Sequence, residues 1–334
     1  MYITHWKKIS KLSIFFYCTA LATANGQLHW RNVDSLYHTG NGIHIFCCND
    51  SLDGKPFIAY YVKAELKNKS LIFTTDTTYK RRLTPRQFFE KNNEAEVVVN
   101  GSFFSFATNQ NLNLVMRNGK LVAYNVHSIA GRGKDTLTYR HPLGSAIGIS
   151  KRRKADIAWT FTDSSRKMPY AIQWPANYIK DSSATIDFNE MDENTTIIVK
   201  PHAGETQTSF RPWKMQTAIG GGPVLVQDGK INITNNEEWK FAGKAIEDKH
   251  PRTAMGYTKD NQLIILAVQG RSESADGVSL KQAAQLLIDL GCVEAMNLDG
   301  GGSSCLLVNG KETIKPSDKE GERPVPAVFI IQRK

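Results

Sequence analysis

The chain reads as a mixed α/β protein: a single domain built on a large curved mixed β-sheet flanked by helices, with glycine-rich loops at strand ends forming the site. Three observations predict this. Short apolar runs recur along the chain between turn cues, which is the pattern of strands. One segment, Ser279 to Leu290, carries a clear helical stripe. Two glycine triplets, Gly220-Gly221-Gly222 and Gly300-Gly301-Gly302, each touch an apolar run, a coincidence that loose turns do not explain. No internal repeat or long linker breaks the 334 residues, so one continuous domain is favoured over two.

The N-terminus reads as an export leader over residues 1–24. Lys7, Lys8 and Lys11 precede an apolar stretch from Leu12 to Leu21, and Ala22-Thr23-Ala24 offers a small-x-small cleavage site. The apolar stretch is too short for a comfortable span, so no stable membrane span is expected after cleavage; an uncleaved anchor is the alternative. The expected destination is periplasmic or extracellular. Residues 25–92 then form an N-terminal β-rich segment packed on a main domain over residues 93–334.

Strands are expected at Ile43 to Cys47, Phe57 to Val62, Ser70 to Thr75 and Ala95 to Val99. Pro85 opens a short helix over Thr84 to Lys91, because proline loses nothing in the first turn. Arg117-Asn118-Gly119 and Asp228-Gly229 mark hairpins. Asp181 to Asn194 is polar and reads as a surface excursion. Further strands follow at Ile197 to Val199, Thr217 to Ile219, Pro223 to Val226, Thr253 to Tyr257, Leu263 to Val268 and Val293 to Leu298. In the helix, Ser279 is a natural N-cap and Gly291 a C-terminal cap.

The formal charge of +10 favours encounter with anionic ligands, and its one basic cluster, Lys151-Arg152-Arg153-Lys154, reads as a hairpin tip rather than a nucleic-acid patch. No nucleic-acid partner is expected. Beyond the leader stand Cys47, Cys48, Cys292 and Cys305. Cys292 and Cys305 flank the second triplet and could staple its strands, with free buried thiols the equal alternative. The eight histidines show no metal-ligand spacing, and neither metal nor cofactor is expected.

The chemistry concentrates at Asn297-Leu298-Asp299-Gly300-Gly301-Gly302-Ser303-Ser304. A strand delivers Asp299 to a fixed position, and the glycines let bare N–H groups converge before it as an anion-binding nest. Three other strand ends carry polar signatures: Asn100-Gly101-Ser102-Phe103-Phe104, Gly220-Gly221-Gly222-Pro223, and His250-Pro251-Arg252-Thr253-Ala254. Arg252 offers a planar fork suited to phosphate oxygens. His250 reads more readily as a loop histidine than as a general base.

Taken in order, these segments together with Met255-Gly256, Asn309-Gly310, Pro316-Ser317-Asp318 and Arg323-Pro324-Val325 resemble the phosphodiester glycosidase family, from about residue 95 to the C-terminus. The resemblance implies a hydrolase that removes a sugar such as N-acetylglucosamine from a phosphodiester. It also implies that Asn100, Arg252, Thr253 and Asp299 line the site, that both glycine triplets shape it, and that Ser102, Arg271, Ser303, Ser304 and Arg323 contribute to substrate binding. Two departures stand out. Gln269-Gly270-Arg271 has a carboxamide where the family often has an acid, and Ser102 replaces a glycine.

An alcohol leaving group needs a proton, which is why ordinary glycosidases carry two carboxylates. A phosphate monoester leaves as a stable anion, so one carboxylate with an arginine and N–H donors can suffice. Asp299 is therefore the expected nucleophile or general base, with Arg252 and the Gly300 to Ser303 backbone on the phosphate. Glu273 and Asp276 are weaker candidates for a second carboxylate. The expected partner is a phosphorylated glycan or sugar phosphodiester. Two rivals are a non-catalytic binder of anionic glycans and a phosphodiesterase cutting P–O bonds, the latter usually demanding a two-metal site.

Overall fold

The computed structural model describes residues 28–93, 95–165, 167–184, 196–199 and 206–334. The leader expected over residues 1–24 lies outside the described residues, as does most of the polar stretch from Asp181 to Asn194. Among the described residues, no helix is long and apolar enough to cross a membrane.

Three antiparallel sheets carry the fold. The largest has eight strands, with Ile43–Leu52, Lys55–Glu65, Gln262–Val268, Arg252–Thr258, Cys292–Asn297 and Val224–Gln227 adjacent in that order. A seven-stranded sheet centres on Ala155–Phe161, Gly144–Ile149 and Thr217–Gly220. A five-stranded sheet includes Leu306–Val308, Ala95–Asn100, Ala327–Arg333 and Leu71–Thr77. The expected mixed α/β architecture of a curved sheet flanked by helices holds, with strand far outweighing helix. Residues 43–77 supply strands to two of these sheets, and Leu71–Thr77 pairs with the last strand from Ala327↔Thr77 to Arg333↔Leu71.

Side-chain alternation explains how the sheets stack. In a strand, successive residues face opposite sides. Met255 and Met296 face a central core shared with Val97, Ile147, Trp159 and Phe329, which come from the other two sheets. Their neighbours Ala254 and Ala295 face outward, onto Leu280, Ala283, Ala284 and Leu287 of helix Leu280–Asp289. That helix is held at its start by a reciprocal capping box between Ser279 and Gln282, and Gly291 beyond its end takes φ +85°. Helix Pro85–Lys91, capped the same way by Thr84 and Gln87, seats Phe88 on the outer face of the five-stranded sheet with Val98, Leu307 and Val328.

Both expected hairpins form with left-handed turn residues, at Asn118 and Gly119 (φ +53° and +74°) and at Asp228 and Gly229 (+51° and +70°). The basic cluster is the turn between Gly144–Ile149 and Ala155–Phe161, where the Arg153 guanidinium donates to the carbonyls of Leu66, Asn68 and Leu71. The Cys292–Cys305 staple does not form. All four described cysteines are free and buried, and these two pack in separate clusters on different sheets.

The glycine triplets mark where the chain passes between sheets. Thr217–Gly220 belongs to the seven-stranded sheet and Val224–Gln227 to the eight-stranded one, so Gly221 and Gly222 are the crossing. Cys292–Asn297 belongs to the eight-stranded sheet and Leu306–Val308 to the five-stranded one, so the segment from Asp299 to Ser304 is a second crossing. The candidate site sits at this junction.

Candidate active site at the sheet junction

Asp299 is stitched to two sheets at once. Leu298 N–H donates to the Thr253 carbonyl at 2.8 Å and Asp299 N–H to the Gly101 carbonyl at 3.0 Å. Asn100, fully buried at the end of its strand, donates from Nδ2 to the Asp299 carbonyl at 2.6 Å. Its Oδ1 accepts from the Thr253 hydroxyl at 2.8 Å and the Cys305 N–H at 3.0 Å. Asn100 and Thr253 therefore stand behind the loop with their hydrogen bonds satisfied by protein. They position Asp299 and do not line the cavity.

In front of the loop lies a cavity of about 210 Å³ lined by Asp299, Gly300, Gly301, Gly302, Arg252, Arg271, Arg323, His250, Phe103 and Phe241, with Ala245. Burial pushes the half-buried Asp299 carboxyl up to about 7, against the opposing pull of the Ser303 hydroxyl, Arg323 and the Gly300 N–H. Burial also lowers His250, and the charges of Arg252 and Arg271 lower it further, so its imidazole is held neutral. Glu273 and Asp276 do not line the cavity, and Gln269 turns away, its side chain joining Ser274 and the Lys315 N–H.

The three arginines are held differently. Arg252 is nearly inaccessible, and burial followed by the Arg271 charge pushes it down to about 10. Its Nε donates to the Val278 carbonyl at 3.0 Å and its Nη2 to Asp248 at 3.0 Å and Ala245 at 3.5 Å. Those carbonyls take up two arms of the fork expected to hold phosphate. Arg323 is clamped by Asp318 through bonds of 2.6 and 2.9 Å. Arg271 is the exposed one, with φ +58°, touching His250 Nδ1 at 3.2 Å. A bulky residue in the left-handed region is strained, and such strain is held where the fold fixes it.

Most of the expected nest is used internally. Gly301 N–H donates to the Pro251 carbonyl, Ser303 N–H to Gly300 and Ser304 N–H to Gly301, closing a short 3₁₀ turn. The Gly302 N–H has no acceptor among the described residues. Ser102, also buried, donates to Asn111 at 2.5 Å, and Ser304 is buried below the loop.

The glycines act chiefly by vacating volume. A Cβ on Gly302 would overlap the Arg323 guanidinium and the Asp318 carboxylate. Both are ends of side chains, so Gly302→Ala is expected to fold normally while displacing Arg323. The result is a ~10-fold or larger drop in kcat/KM at unchanged Tm, read by steady-state kinetics and a thermal melt. The first triplet works the same way. A Cβ on Gly220 would lie 2.7 Å from Asn113 Cβ, and one on Gly221 2.7 Å from the Asn297 carbonyl. On Gly222 it would meet Glu238, as well as Lys240 Cε at 2.6 Å. The N–H groups of Gly220, Gly221 and Gly222 all donate to protein carbonyls.

A second, larger groove of about 790 Å³ adjoins the cavity and shares Phe103 and Phe241 with it. Asn113, Trp239 and Lys240 line it. These residues come from loops without a recognisable motif, so nothing in the sequence drew attention to them. His250 was visible in its motif, but only the fold shows that it lines the same cavity as Asp299.

Comparison with known proteins bears on this geometry. The family model for phosphodiester glycosidases matches residues 151–332. The N-acetylglucosamine-1-phosphodiester alpha-N-acetylglucosaminidase of Bos taurus is 42% identical over 108 residues, covering 30% of this chain and 20% of the relative. The chain thus spans about a fifth of that relative's length. Among solved structures, the catalytic domain of the zebrafish enzyme of the same name, auto-inhibited by its pro-peptide, superposes with a TM-score of 0.53 at 19% identity, covering 87% of this chain and 83% of that one. A hypothetical protein from Synechocystis gives a TM-score of 0.59 at 17% identity, covering 92% of this chain and 64% of that one. These two likenesses establish a shared fold. With the family model matching more than half of its length, the chain belongs to the phosphodiester glycosidase family.

Proposed function

We propose that the protein hydrolyses the glycosidic C–O bond of a sugar-1-phosphodiester, of the N-acetylglucosamine-1-phosphate kind named for its relatives. The observation that carries the reading is one carboxyl, Asp299, facing three arginines and a free Gly302 N–H in a small cavity. Positive charge fixed beside a departing phosphate stabilises it without a proton. Asp299 acts as nucleophile or general base at the anomeric carbon. Arg271, Arg323 and the Gly302 N–H hold phosphate oxygens, and Arg252 adds its charge from the wall. His250, kept neutral, is placed to take or return a proton on an attacking water. The basic and then apolar N-terminus supports export.

Hydrolysis of a GlcNAc-1-phosphodiester in oxygen-18 water tests the bond cleaved. Label on the released sugar is expected; label on the phosphate would make the protein a phosphodiesterase. The pH profile tests the carboxyl. Asp299 works ionised, and its carboxyl is pushed up to about 7, so kcat/KM should rise with pH through an acid limb near that value. A limb near the ordinary aspartate value would remove Asp299 from the rate-determining protonation.

A further inference from the structure

A basic rim opens from the wall of the catalytic cavity. It begins at Lys80-Arg81-Arg82, a shorter basic run than the one at 151–154, and its placement sets it apart. Backbone bonds pin this turn beside Arg323. Leu83 and Val325 exchange N–H to carbonyl bonds of 3.0 and 2.8 Å, and the Thr78 N–H and Thr77 hydroxyl both donate to the Pro326 carbonyl. Asn111 donates from Nδ2 to the Thr77 hydroxyl oxygen at 2.9 Å, which fixes the loop from Phe103 to Asn111 against the same turn. Three segments distant in the chain therefore share one rim.

Phe106 stands at the centre of that rim. Its ring is 64% exposed, and the guanidiniums of Arg82 and Arg323 both lie over it, 5.3 and 5.5 Å from its centroid. Arg82 also lies 5.3 Å from the Phe104 centroid. The two arginines spend their donors differently. Arg323, which lines the catalytic cavity, has its edge clamped by Asp318. Arg82 sits over the two rings, and its N–H groups meet no acceptor among the described residues. A guanidinium held on aromatic faces with its N–H groups free is preorganised for a pair of phosphate oxygens. Among the described residues no carboxylate pairs with Lys80, Arg81 or Arg82, and Tyr79, Lys80 and Arg81 are exposed.

We propose that this rim binds a second phosphate of the same substrate molecule through Arg82, so that the protein favours chains of successive sugar phosphodiesters over a lone one. The inference rests on the sugar-phosphodiester reading above and deepens it to a polyanionic class of substrate. The cavity at Asp299, about 210 Å³, encloses little more than the reacting phosphoryl group. A substituent that leaves this cavity past Arg323 meets Phe106 next and Arg82 beyond it. A neutral substituent gains nothing from Arg82, whereas a repeating phosphodiester brings its next anion there. The exposed rings of Tyr79 and Phe106 supply apolar faces for the sugar in between.

Two probes test it: the methyl diester of GlcNAc-1-phosphate, and the compound with two GlcNAc-1-phosphodiester units in succession. Calorimetric titration of both into Asp299→Asn reads binding without turnover. The two-unit probe should bind ~10-fold tighter or more, the worth of a charged hydrogen bond, and the preference should shrink as salt rises. Adding Arg82→Gln should cut the preference to about twofold. In the protein with Asp299 intact, Arg82→Gln should leave Tm and the one-unit kcat/KM unchanged and raise KM for the two-unit probe alone. Arg152→Gln, an equal loss of charge at the exposed 151–154 turn, should change neither. Equal affinity for the two probes, a preference that survives Arg82→Gln, or an equal loss in Arg152→Gln would overturn the proposal. So would Arg82-dependent cosedimentation with phosphatidylglycerol vesicles and no preference between the probes, which would make the rim a membrane contact. An Arg82-dependent preference without hydrolysis in the oxygen-18 experiment would sink the hydrolase reading and leave the rim standing.

Discussion

Asp299→Asn lowers kcat by ~10³-fold or more while leaving substrate binding measurable, because it removes the one carboxyl that lines the cavity among the described residues. It should also raise stability above neutral pH. Asp299 has a folded-state pKa near 7 against an ordinary value of 3.8. Its stability contribution is therefore fully present below 3.8 and lost as pH rises through about 7. Asparagine has no such ionisation, so at pH 8 the variant should melt at least ~2 °C higher, and the difference should vanish near pH 4. Thermal melts across that range, run beside single-turnover kinetics, check both halves. Activity retained within tenfold would transfer the catalytic role elsewhere. Unchanged melting would mean that the carboxyl titrates as it does in water.

Arg252→Ala and Arg271→Ala are expected to separate cleanly. Arg252 is buried, and its Nε and Nη2 hold the carbonyls of Val278, Asp248 and Ala245, tying the 245–248 turn to the start of the long helix. Removing it strands those carbonyls and should cost on the order of 3 kcal/mol of stability together with activity. Arg271 is exposed, with its guanidinium 3.2 Å from His250. Its loss should leave Tm nearly unchanged and slow turnover ~100-fold or more, the usual effect of deleting one preorganised donor. Denaturant unfolding with kcat/KM for each variant decides the matter. If Arg252→Ala proved as stable as the parent and the more impaired of the two, Arg252 would be the principal phosphate ligand after all.

Much of this was legible in the chain. The short helix opening at Pro85, the N-cap at Ser279, the hairpins at Asn118-Gly119 and Asp228-Gly229, and most strands followed from local rules, since caps and turns depend on neighbouring residues alone. Seven of the expected site residues line the cavity: Asp299, Arg252, Arg271, Gly300, Gly301, Gly302 and Arg323. Motif order put them on one list, but it assigned roles by residue type. The fork of Arg252 was expected on a ligand and is mostly spent on backbone, while Asn100 and Thr253 hold the loop from behind. The disulfide was a matter of sequence spacing alone, and spacing is blind to which sheet each strand joins.

The sequence by itself determined the elements, the family resemblance and the residue types that a phosphate chemistry requires, because each is encoded in short windows. Only the tertiary structure decided what each side chain faces. It set Asp299 near pH 7 by burial, turned the glycine triplets into crossings between sheets, and brought Asn113 and Lys240 alongside Phe103 and Phe241. Desolvation and hydrogen-bond satisfaction depend on everything packed around a group. Those neighbours come from segments more than two hundred residues apart, as the Asn100–Cys305 bond shows (|i−j| = 205).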